Sequence, residues 1–377
     1  MSMSAKRWIF FFFALLVVPV RLFTRRSKTI SRLVVFQMAK LGDMVCTTPV
    51  FRAIKRALPE SHLSVVGNAI NKDVLRGNGD IDDYLAFDGI FSMFRKLSAK
   101  KIEVAVLVGP DLTSLTSAYL AGIPFIVVPR IEGGYSPFES LPYRLLRSLP
   151  GITVVPHRIG QYAPREYLRT LEPLGIKAED TTKHLAVSED AERAVVDFLA
   201  AHGIPTGALL VGISPSAGNK IKKWEEKNFA QLALQLKNNH GATIIVVGGR
   251  GDRKEVENFF QHLPSDPMFI NASEKLNIEE LKALIKKMNL FVAVDTGPIY
   301  IAEAFGVPTV DIVGPMDEKE QPPQGKQHRV ITPPGSRIPQ LHIMNARKYD
   351  EKEAKRQVES ISVSMVYKAC KELLLCN

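Results

Sequence analysis

The amino-acid sequence predicts an α/β protein with parallel sheets in two domains, and three observations predict that class. Apolar runs of four to seven residues, rich in β-branched side chains, alternate with segments of helical periodicity. The 377 residues exceed what one hydrophobic core usually organises. A new series of apolar runs begins at Ala208, after a polar stretch. We therefore predict domains at residues 29–190 and 191–350, with a separate segment at 1–28 and a terminal helix at 351–377 that could pack back on the first domain.

The composition is that of a folded protein with an anionic partner. Hydrophobic residues make up 46% and charged residues 23% of the chain, which argues against disorder. The formal net charge of +10 is compatible with nucleic acid, an acidic membrane surface or a phosphorylated substrate. Beyond an N-terminal cluster the basic residues are scattered and form no nucleic-acid motif, so we expect no nucleic-acid partner. Cys46, Cys370 and Cys376 lack metal-ligand spacing and fit a reducing compartment.

The N-terminal segment is a candidate membrane anchor. Residues 8–20 are continuously apolar, with basic residues on both sides. A helix from there to Phe23 would be about 24 Å long, which is short of a hydrocarbon core of about 30 Å. A basic cluster follows where a cleaved signal peptide would have small residues. We expect a retained anchor that dips into or barely crosses the membrane, with its basic residues at the cytoplasmic face. An ordinary buried helix or a mis-annotated start would explain the same residues.

A carboxylate stands at the first connection between strand and helix. Leu33–Phe36 reads as a buried strand, and a helical pattern starts after the loop at 37–43. Because ligands bind at the carboxyl ends of parallel strands, Asp43 is placed where a ligand would bind. Simple capping of the helix by Asp43 is an alternative interpretation.

The rest of the first domain continues the alternation and then becomes rich in arginine. Further strand-like runs lie at 62–68, 104–109 and 122–129. The segment 130–164 reads as irregular surface. Arg130 and Arg158 within it could clamp an acidic acceptor bidentately, although scattered arginines on a solvated face are an equally good interpretation.

The second domain begins with a strand and a polar loop. Leu209–Ile213 leads into a loop that contains Ser216, and Lys222 lies just before the next helix. A lysine there can neutralise phosphate, or it can be an exposed solubilising side chain. After the following strand, Ala242–Gly249, Asp252 could bind a ribose hydroxyl pair, although a glycine pair followed by an acid is a frequent pattern.

The stretch Leu290–Pro315 predicts an anion site. An apolar run ends at Asp295 and turns through Thr296 and Gly297 into a short helix with proline at its first position, where a missing amide hydrogen costs nothing. Backbone N–H groups within 296–300 would then point outward at the positive end of the helix dipole. The alternative is a buried β-α-β unit whose glycines and prolines only shape turns.

The motifs, taken together, resemble a known family. In order, they are a strand followed by LGDMVCTTPVFRAIK, a strand followed by a serine-containing loop and KKWEEKNFAQLA, and DTGPIYIAEAFGVPTVDIVGP followed by PPQG. This set resembles glycosyltransferase family 9, the ADP-heptose heptosyltransferases of lipopolysaccharide core assembly and their relatives. The resemblance runs from about Leu33 to Leu375. It implies a GT-B architecture, with two Rossmann-like domains facing each other across a cleft, and an inverting mechanism that needs no metal or other cofactor.

The resemblance also implies roles for individual residues. Asp43 would be the general base on the acceptor side, with Arg130 and Arg158 as acceptor-binding candidates. Lys222 would meet the donor diphosphate. The other donor-binding candidates are Ser216, Asp252, Asp295, Thr296, Gly297 and Tyr300. The resemblance implies ADP-heptose and an anionic glycolipid acceptor as partners. The candidate anchor adds a membrane surface, and the two together imply a location at the cytoplasmic face of the bacterial inner membrane.

The sequence departs from the family pattern at two positions. Tyr300 stands where histidine is usual, and Glu225 follows the tryptophan where proline is common. Tyrosine can donate a hydrogen bond but cannot carry positive charge, so donor contacts would differ. Two other functions therefore stay open: another GT-B enzyme such as a nucleotide-sugar epimerase, and a membrane-tethered protein that binds sugar nucleotides without catalysis.

Overall fold

The chain folds into two compact units. The computed structural model describes residues 3–15, 17–21, 29–345 and 348–375. The first unit comprises Met1–Lys183 and Ile343–Arg347, and the second comprises His184–His342 and Lys348–Asn377. The sequence placed the change of domain at 190–191. In the structure Lys183 still belongs to the first unit, because its buried ammonium group donates to Tyr162 Oη at 2.9 Å.

The first unit is organised by a parallel sheet. Its strands are β1 (Arg32–Gln37), β2 (His62–Gly67), β3 (Asp83–Ala86), β4 (Val104–Leu107), β5 (Phe125–Glu132) and β6 (Ile152–Arg158). Among the described residues they form one six-stranded sheet in the order β3-β2-β1-β4-β5-β6, with every neighbouring pair parallel. This is the strand order of the Rossmann fold, in which the order reverses between β1 and β4.

Helices and apolar side chains complete the first unit. The helices are α1 (Met3–Leu15), α2 (Val18–Arg21), α3 (Leu41–Ala57), α4 (Ala69–Val74), α5 (Ile90–Ala99), α6 (Leu112–Leu120), α7 (Leu141–Leu146) and α8 (Ala163–Arg169). One core cluster joins Val34, Ala105 and Ile126 of the sheet to Leu115 and Tyr119 of α6. The alternation of apolar runs and helical segments therefore led to the correct class for this unit.

The interpretation of 130–164 as irregular surface is wrong for much of the segment. It contains the end of β5, the helix α7 and the strand β6. Tyr143 and Leu146 of α7 are fully buried, and the Tyr143 hydroxyl donates to the Pro129 carbonyl at 3.1 Å. The high content of Gly, Pro and Arg concealed these elements, because it reflects the turns between them.

The N-terminal segment forms two helices in the described residues. Helix α1 packs against α6 and α7, and its Ala14 is fully buried in the core of the first unit. In the part of the chain that the structure describes, no helix is both long enough and apolar enough to cross a membrane. The basic residues at 22–28 and Cys376 lie outside the described residues.

The second unit repeats the topology of the first. Its strands are β7 (Leu210–Ser214), β8 (Thr243–Val246), β9 (Phe269–Asn271), β10 (Leu290–Val294), β11 (Thr309–Ile312) and β12 (His328–Ile331). Its helices are α9 (Glu189–Ala201), α10 (Glu226–His240), α11 (Arg253–Gln261), α12 (Ile278–Lys286), α13 (Gly297–Ala304), α14 (Glu351–Glu359) and α15 (Val363–Leu375). Within the described residues the strands form a six-stranded parallel sheet in the order β12-β11-β10-β7-β8-β9, which is again the Rossmann order, reversing between β7 and β10.

The C-terminal segment is two helices where the sequence indicated one. The chain leaves the helical path at Ser360, and the Ile361 carbonyl accepts the Trp224 indole N–H at 2.8 Å. Trp224 is fully buried and packs edge-on against Phe229, so a long-range contact stabilises the break. Helix α15 belongs to the second unit and packs against α10 and β11. Packing of this segment on the first domain stays a prediction.

Candidate active site

A carboxylate occupies the switch point of the first unit. Helix α3 begins directly after Lys40, and Asp43 lies in its first turn. This position is at the carboxyl end of β1, where strand order reverses toward β4 and where ligands bind in open α/β sheets. The helix dipole favours an ionised carboxylate in the first turn, which is the form that can accept a proton. The N-cap residue of this helix is Lys40, so Asp43 is not the capping residue.

Asp43 borders a pocket of about 240 Å³. The polar lining includes Gln37 and Asp111, and the apolar lining includes Phe138 and Met344. Asp111 is fixed as the N-cap of α6, where its carboxylate accepts the Ser114 amide at 2.7 Å. A pocket that combines carboxylates with apolar walls suits a polyhydroxylated ligand that presents both hydroxyl groups and ring carbons.

The backbone at Asp43 is held by side chains behind it. The Thr47 hydroxyl donates to the Asp43 carbonyl at 2.7 Å, and Gln37 Nε2 donates to Thr47 Oγ1 at 2.9 Å. Gln37 and Thr47 are both buried. The carboxylate therefore projects from a rigid helix turn, as a positioned catalytic group requires.

The two arginines predicted to bind the acceptor lie near the carboxyl ends of β5 and β6. Arg130 is on β5 and pairs with Glu132, while Arg158 is opposite Glu132 at the end of β6. Paired residues of parallel strands share a face, so the three side chains lie on one side of this sheet edge. Neither arginine is among the described residues that line the pocket at Asp43. Their acceptor role stays a prediction.

The switch point of the second unit carries a lysine, an aspartate and a tyrosine in one network. Asp295 follows β10, is 3% exposed, and its Oδ2 lies 2.8 Å from Lys222 Nζ. Lys222 also donates to the Asp295 backbone carbonyl, and the Tyr300 hydroxyl donates to Asp295 Oδ1. The structure thus brings together three of the predicted donor-binding residues. The Lys222 side chain is largely buried and paired with Asp295. The alternative interpretation of Lys222 as an exposed solubilising side chain is therefore wrong.

Helix α13 presents its start at the same place. It begins at Gly297 after Thr296, with Pro298 one position later than expected. The Ile299 N–H donates to the Thr296 carbonyl at 3.1 Å, so that amide is not directed at a ligand as the sequence suggested. The first turn of α13, which the structure describes in full, has no acidic residue, so its positive end is left for an anion.

Asp311 is a buried carboxylate that the sequence interpretation missed. It lies within β11 beside Ala293 of β10 and is fully buried, and its carboxylate oxygens make no hydrogen bond to described residues. Burial, reinforced by the charge of Asp295, raises the pKa of Asp311 well above its usual range. A single acid in an apolar strand run gives no sign of this in the sequence, since only the strand register places it near Asp295.

Two other donor-binding candidates, Ser216 and Asp252, lie in the loops that follow β7 and β8. Ser216 is buried in the loop after β7, ahead of the 3₁₀ turn Lys220–Lys222 that carries the lysine. Asp252 ends a 3₁₀ turn after β8 and accepts the Gly249 amide at 2.8 Å. That bond holds the Asp252 carboxylate in its own turn, and its ribose role stays a prediction.

A further cluster joins the loop after β11 to the segment after β12. One atom each of Asp317, Glu320 and His342 lies within 4.8 Å of the others. The sequence interpretation did not single out these residues. No regular spacing connects His342 to the two acids, so only the fold could reveal the group.

The fold and the sites define the class of protein: two Rossmann-type units, each with polar groups at its strand-order reversal. A family model described as glycosyltransferase family 9 (heptosyltransferase) matches residues 159–349, a little over half of the 377 residues. The chain belongs to this family, which confirms the resemblance seen in the motifs. It is a glycosyltransferase.

Individual relatives agree with this membership. The chain is 24% identical over 299 residues to lipopolysaccharide heptosyltransferase 3 of Escherichia coli, covering 73% of this chain and 81% of that protein. The family 9 glycosyl transferase from Veillonella parvula has a similar structure, with a TM-score of 0.74 and 23% identity over 92% of this chain and 98% of that one. The ADP-heptose lipopolysaccharide heptosyltransferase II of E. coli has a TM-score of 0.71 and 18% identity, covering 92% and 99% of the two chains. Identities this low establish a shared fold.

Proposed function

We propose that this enzyme is an inverting glycosyltransferase that moves a heptose from ADP-heptose to a lipopolysaccharide core or a related anionic glycolipid. One observation carries the proposal: a carboxylate pocket at one switch point is matched by a lysine and an acid-free helix start at the other. The names of the E. coli relatives supply the candidate donor and acceptor. As in the GT-B plan, one unit would take the acceptor and the other the donor.

The transfer chemistry assigns a task to each site. An acceptor hydroxyl loses its proton to Asp43 as its oxygen bonds to the anomeric carbon. The bond from that carbon to the diphosphate oxygen breaks, and the leaving nucleotide takes the electron pair. Attack from the face opposite the leaving group inverts the configuration. Lys222 and the amides at the start of α13 stabilise the charge that develops on the diphosphate.

The ammonium group of Lys222 could exchange its partner Asp295 for the diphosphate of a bound donor. Lys222 is held by a carboxylate and a carbonyl of the same residue, with 14% of its side chain exposed. A diphosphate at the α13 start would compete for that ammonium group. Tyr300 would keep Asp295 in place through its own hydrogen bond, so a tyrosine can serve here where the family commonly has histidine.

The test is a donor panel followed by a product assay. ADP-, UDP- and GDP-sugars are compared by thermal shift, where a ligand at 100 times its dissociation constant stabilises by about 2.7 kcal/mol. ADP-heptose should give the largest shift and should then glycosylate a lipopolysaccharide-core acceptor. A donor that binds without transfer would favour a non-catalytic protein, and release of an epimerised sugar without acceptor would favour an epimerase.

We also propose that the first unit docks on the cytoplasmic face of the inner membrane through the apolar surface of α1, α5 and α7. Phe12 is 59% exposed on α1, and Phe91 of α5 is 54% exposed and packs edge-on against Phe13. Leu141 and Leu145 extend the exposed apolar area on α7, which α1 contacts. Aromatic residues beside a basic sequence are typical of an interfacial helix on anionic lipid.

Vesicle binding tests this surface. Phe12→Asp should weaken binding to anionic vesicles, as measured by sedimentation. Ile70→Asp is the matched control, because Ile70 is 62% exposed on α4 of the same unit. Equal loss in both variants, or no binding by the parent protein, would refute the docking surface.

A further inference from the structure

The cluster of Asp317, Glu320 and His342 has the geometry of a metal-ligand set. His342 Nδ1 lies 3.3 Å from Glu320 Oε1 and 3.6 Å from Asp317 Oδ2. Donors bound at about 2.0–2.2 Å to one ion are themselves separated by about 3.0–3.5 Å. Asp317 and Glu320 are only 7% and 3% exposed, so two carboxylates are kept from water beside the same imidazole nitrogen.

Backbone contacts hold the two segments that supply the donors. Met316 and Leu341 form a parallel bridge, and the Asp317 N–H donates to the Leu341 carbonyl at 3.1 Å. Within the acidic turn, the Glu320 N–H donates to the Asp317 carbonyl at 3.3 Å. The donors are therefore positioned by main-chain structure and do not depend on flexible side chains meeting by chance.

Among the described residues, a neighbouring cation is already engaged by other groups. The guanidinium group of Arg337 pairs with Glu318 and donates to the Met316 carbonyl at 2.8 Å. His342 Nδ1 is screened from solvent and faces both carboxylates, at 3.3 Å from Glu320 Oε1 and 3.6 Å from Asp317 Oδ2. Two buried carboxylates and an imidazole nitrogen that converge in this way match the charge and donor preference of a divalent ion.

We propose that Asp317, Glu320 and His342 bind one divalent first-row transition ion, which cross-links the loop after β11 to the segment at 337–342. The imidazole nitrogen favours such ions over Mg²⁺ or Ca²⁺, which prefer oxygen ligands throughout. Three protein donors leave further positions for water. The ion is structural and takes no part in sugar transfer, so this inference is independent of the proposed function.

Metal titration of the full chain tests the site. After dialysis against a chelator, Mn²⁺ binding is followed by electron paramagnetic resonance and Zn²⁺ binding by calorimetry. We expect one ion per chain at this site. His342→Gln and Glu320→Gln should each lower affinity by more than about tenfold, since even outer-shell substitutions cost about 10- to 100-fold. Both ions are also expected to raise the melting temperature of the parent protein more than that of the variants.

His262→Gln is the matched control for His342→Gln, because His262 is an exposed histidine of the same unit and lies outside the cluster. It should retain full affinity. His342 is partly exposed, so His342→Gln is expected to fold even if a substitution at the buried Glu320 does not. Failure of the parent protein to bind either ion, or equal affinity in the parent and His342→Gln, would show that the cluster is only an imidazolium held by two carboxylates.

Discussion

The two switch points have the same topology and opposite electrostatics. In the first unit the helix after β1 carries Asp43 in its first turn, so the positive end of that helix stabilises the protein's own carboxylate. In the second unit the first turn of α13 has no acid, and Lys222 stands beside it, paired with Asp295. One helix start is therefore equipped to hold a base, and the other is available to a phosphate.

This contrast shows how one fold can serve two partners. The reversal of strand order creates a ligand-binding crevice in each unit. Whether the first turn of the adjacent helix carries an acidic residue then decides which ligand charge that crevice favours. The second unit then keeps its lysine in place with a buried aspartate, whereas in the first unit the Thr47 hydroxyl donates to the backbone carbonyl of Asp43. The following predictions test that difference, beginning with the largest expected effect.

Removing the base should stop transfer and leave donor binding intact. Asp43→Asn is expected to lower kcat by about 10²- to 10⁴-fold, because the acceptor hydroxyl loses its proton acceptor. Nucleotide-sugar affinity, measured by calorimetry, should not change. Asp111→Asn is the control, since asparagine also caps helices well and the change removes a second carboxylate from the same pocket. An equal loss in both variants would mean that pocket charge, and not a specific base, is what matters.

Breaking the pair in the second unit should cost stability as well as donor affinity. Lys222→Ala leaves the buried Asp295 without its cation and should lower the free energy of unfolding by about 3 kcal/mol. Emission of the buried Trp224 in a Trp8→Phe background reports unfolding of this unit. Lys227→Ala, which removes a lysine paired with Glu225 at the surface, should have a much smaller effect. Unchanged nucleotide affinity in Lys222→Ala would refute its diphosphate role.

Acid should weaken the first unit through His157. Burial, with the nearby Arg169 adding to it, lowers the pKa of His157 from 6.5 to about 4. The unfolded chain therefore binds a proton at pH values where the folded unit does not, and stability falls as the pH drops from about 6.5 to about 4. The loss is about 3 kcal/mol at most. Calorimetric unfolding of the parent protein and of His157→Gln at pH 7.5 and 4.5 measures it, and equal pH dependence in the two proteins would contradict it.

The smallest effect should come from Asp311, with the opposite pH dependence. The pKa of Asp311 is raised in the folded state, so at neutral pH the acid ionises when the chain unfolds. This ionisation stabilises the unfolded chain and lowers the free energy of unfolding. Asp311→Asn should therefore stabilise the second unit at pH 7.5, with a gain that disappears as the pH falls toward 3.8. The added amide needs hydrogen-bond partners in a buried place, which limits the gain. A stability difference between the two proteins that does not change as the pH falls from 7.5 toward 3.8 would contradict a neutral Asp311 in the folded state.

Much of the fold could be predicted because it depends on local patterns. Apolar runs such as Leu33–Phe36 and Leu210–Ile213 are buried strands, as their composition predicted. The segment 130–164 was misjudged because turn residues there outnumber the short elements between them. The break between α14 and α15 was missed because it depends on Trp224, more than a hundred residues earlier in the chain.

The sequence by itself determined the family, the two Rossmann-type units and the positions of Asp43 and Asp295, because residues that follow a parallel strand must lie at its carboxyl end. Only the tertiary structure decided which groups meet there. Lys222 pairs with Asp295 across 73 positions of sequence. Asp311 approaches Asp295 through strand register, and His342 joins Asp317 and Glu320 through a single bridge between segments. These contacts depend on how distant elements pack together. The separation of such residues in the sequence follows no regular period, so the sequence pattern does not reveal the contacts.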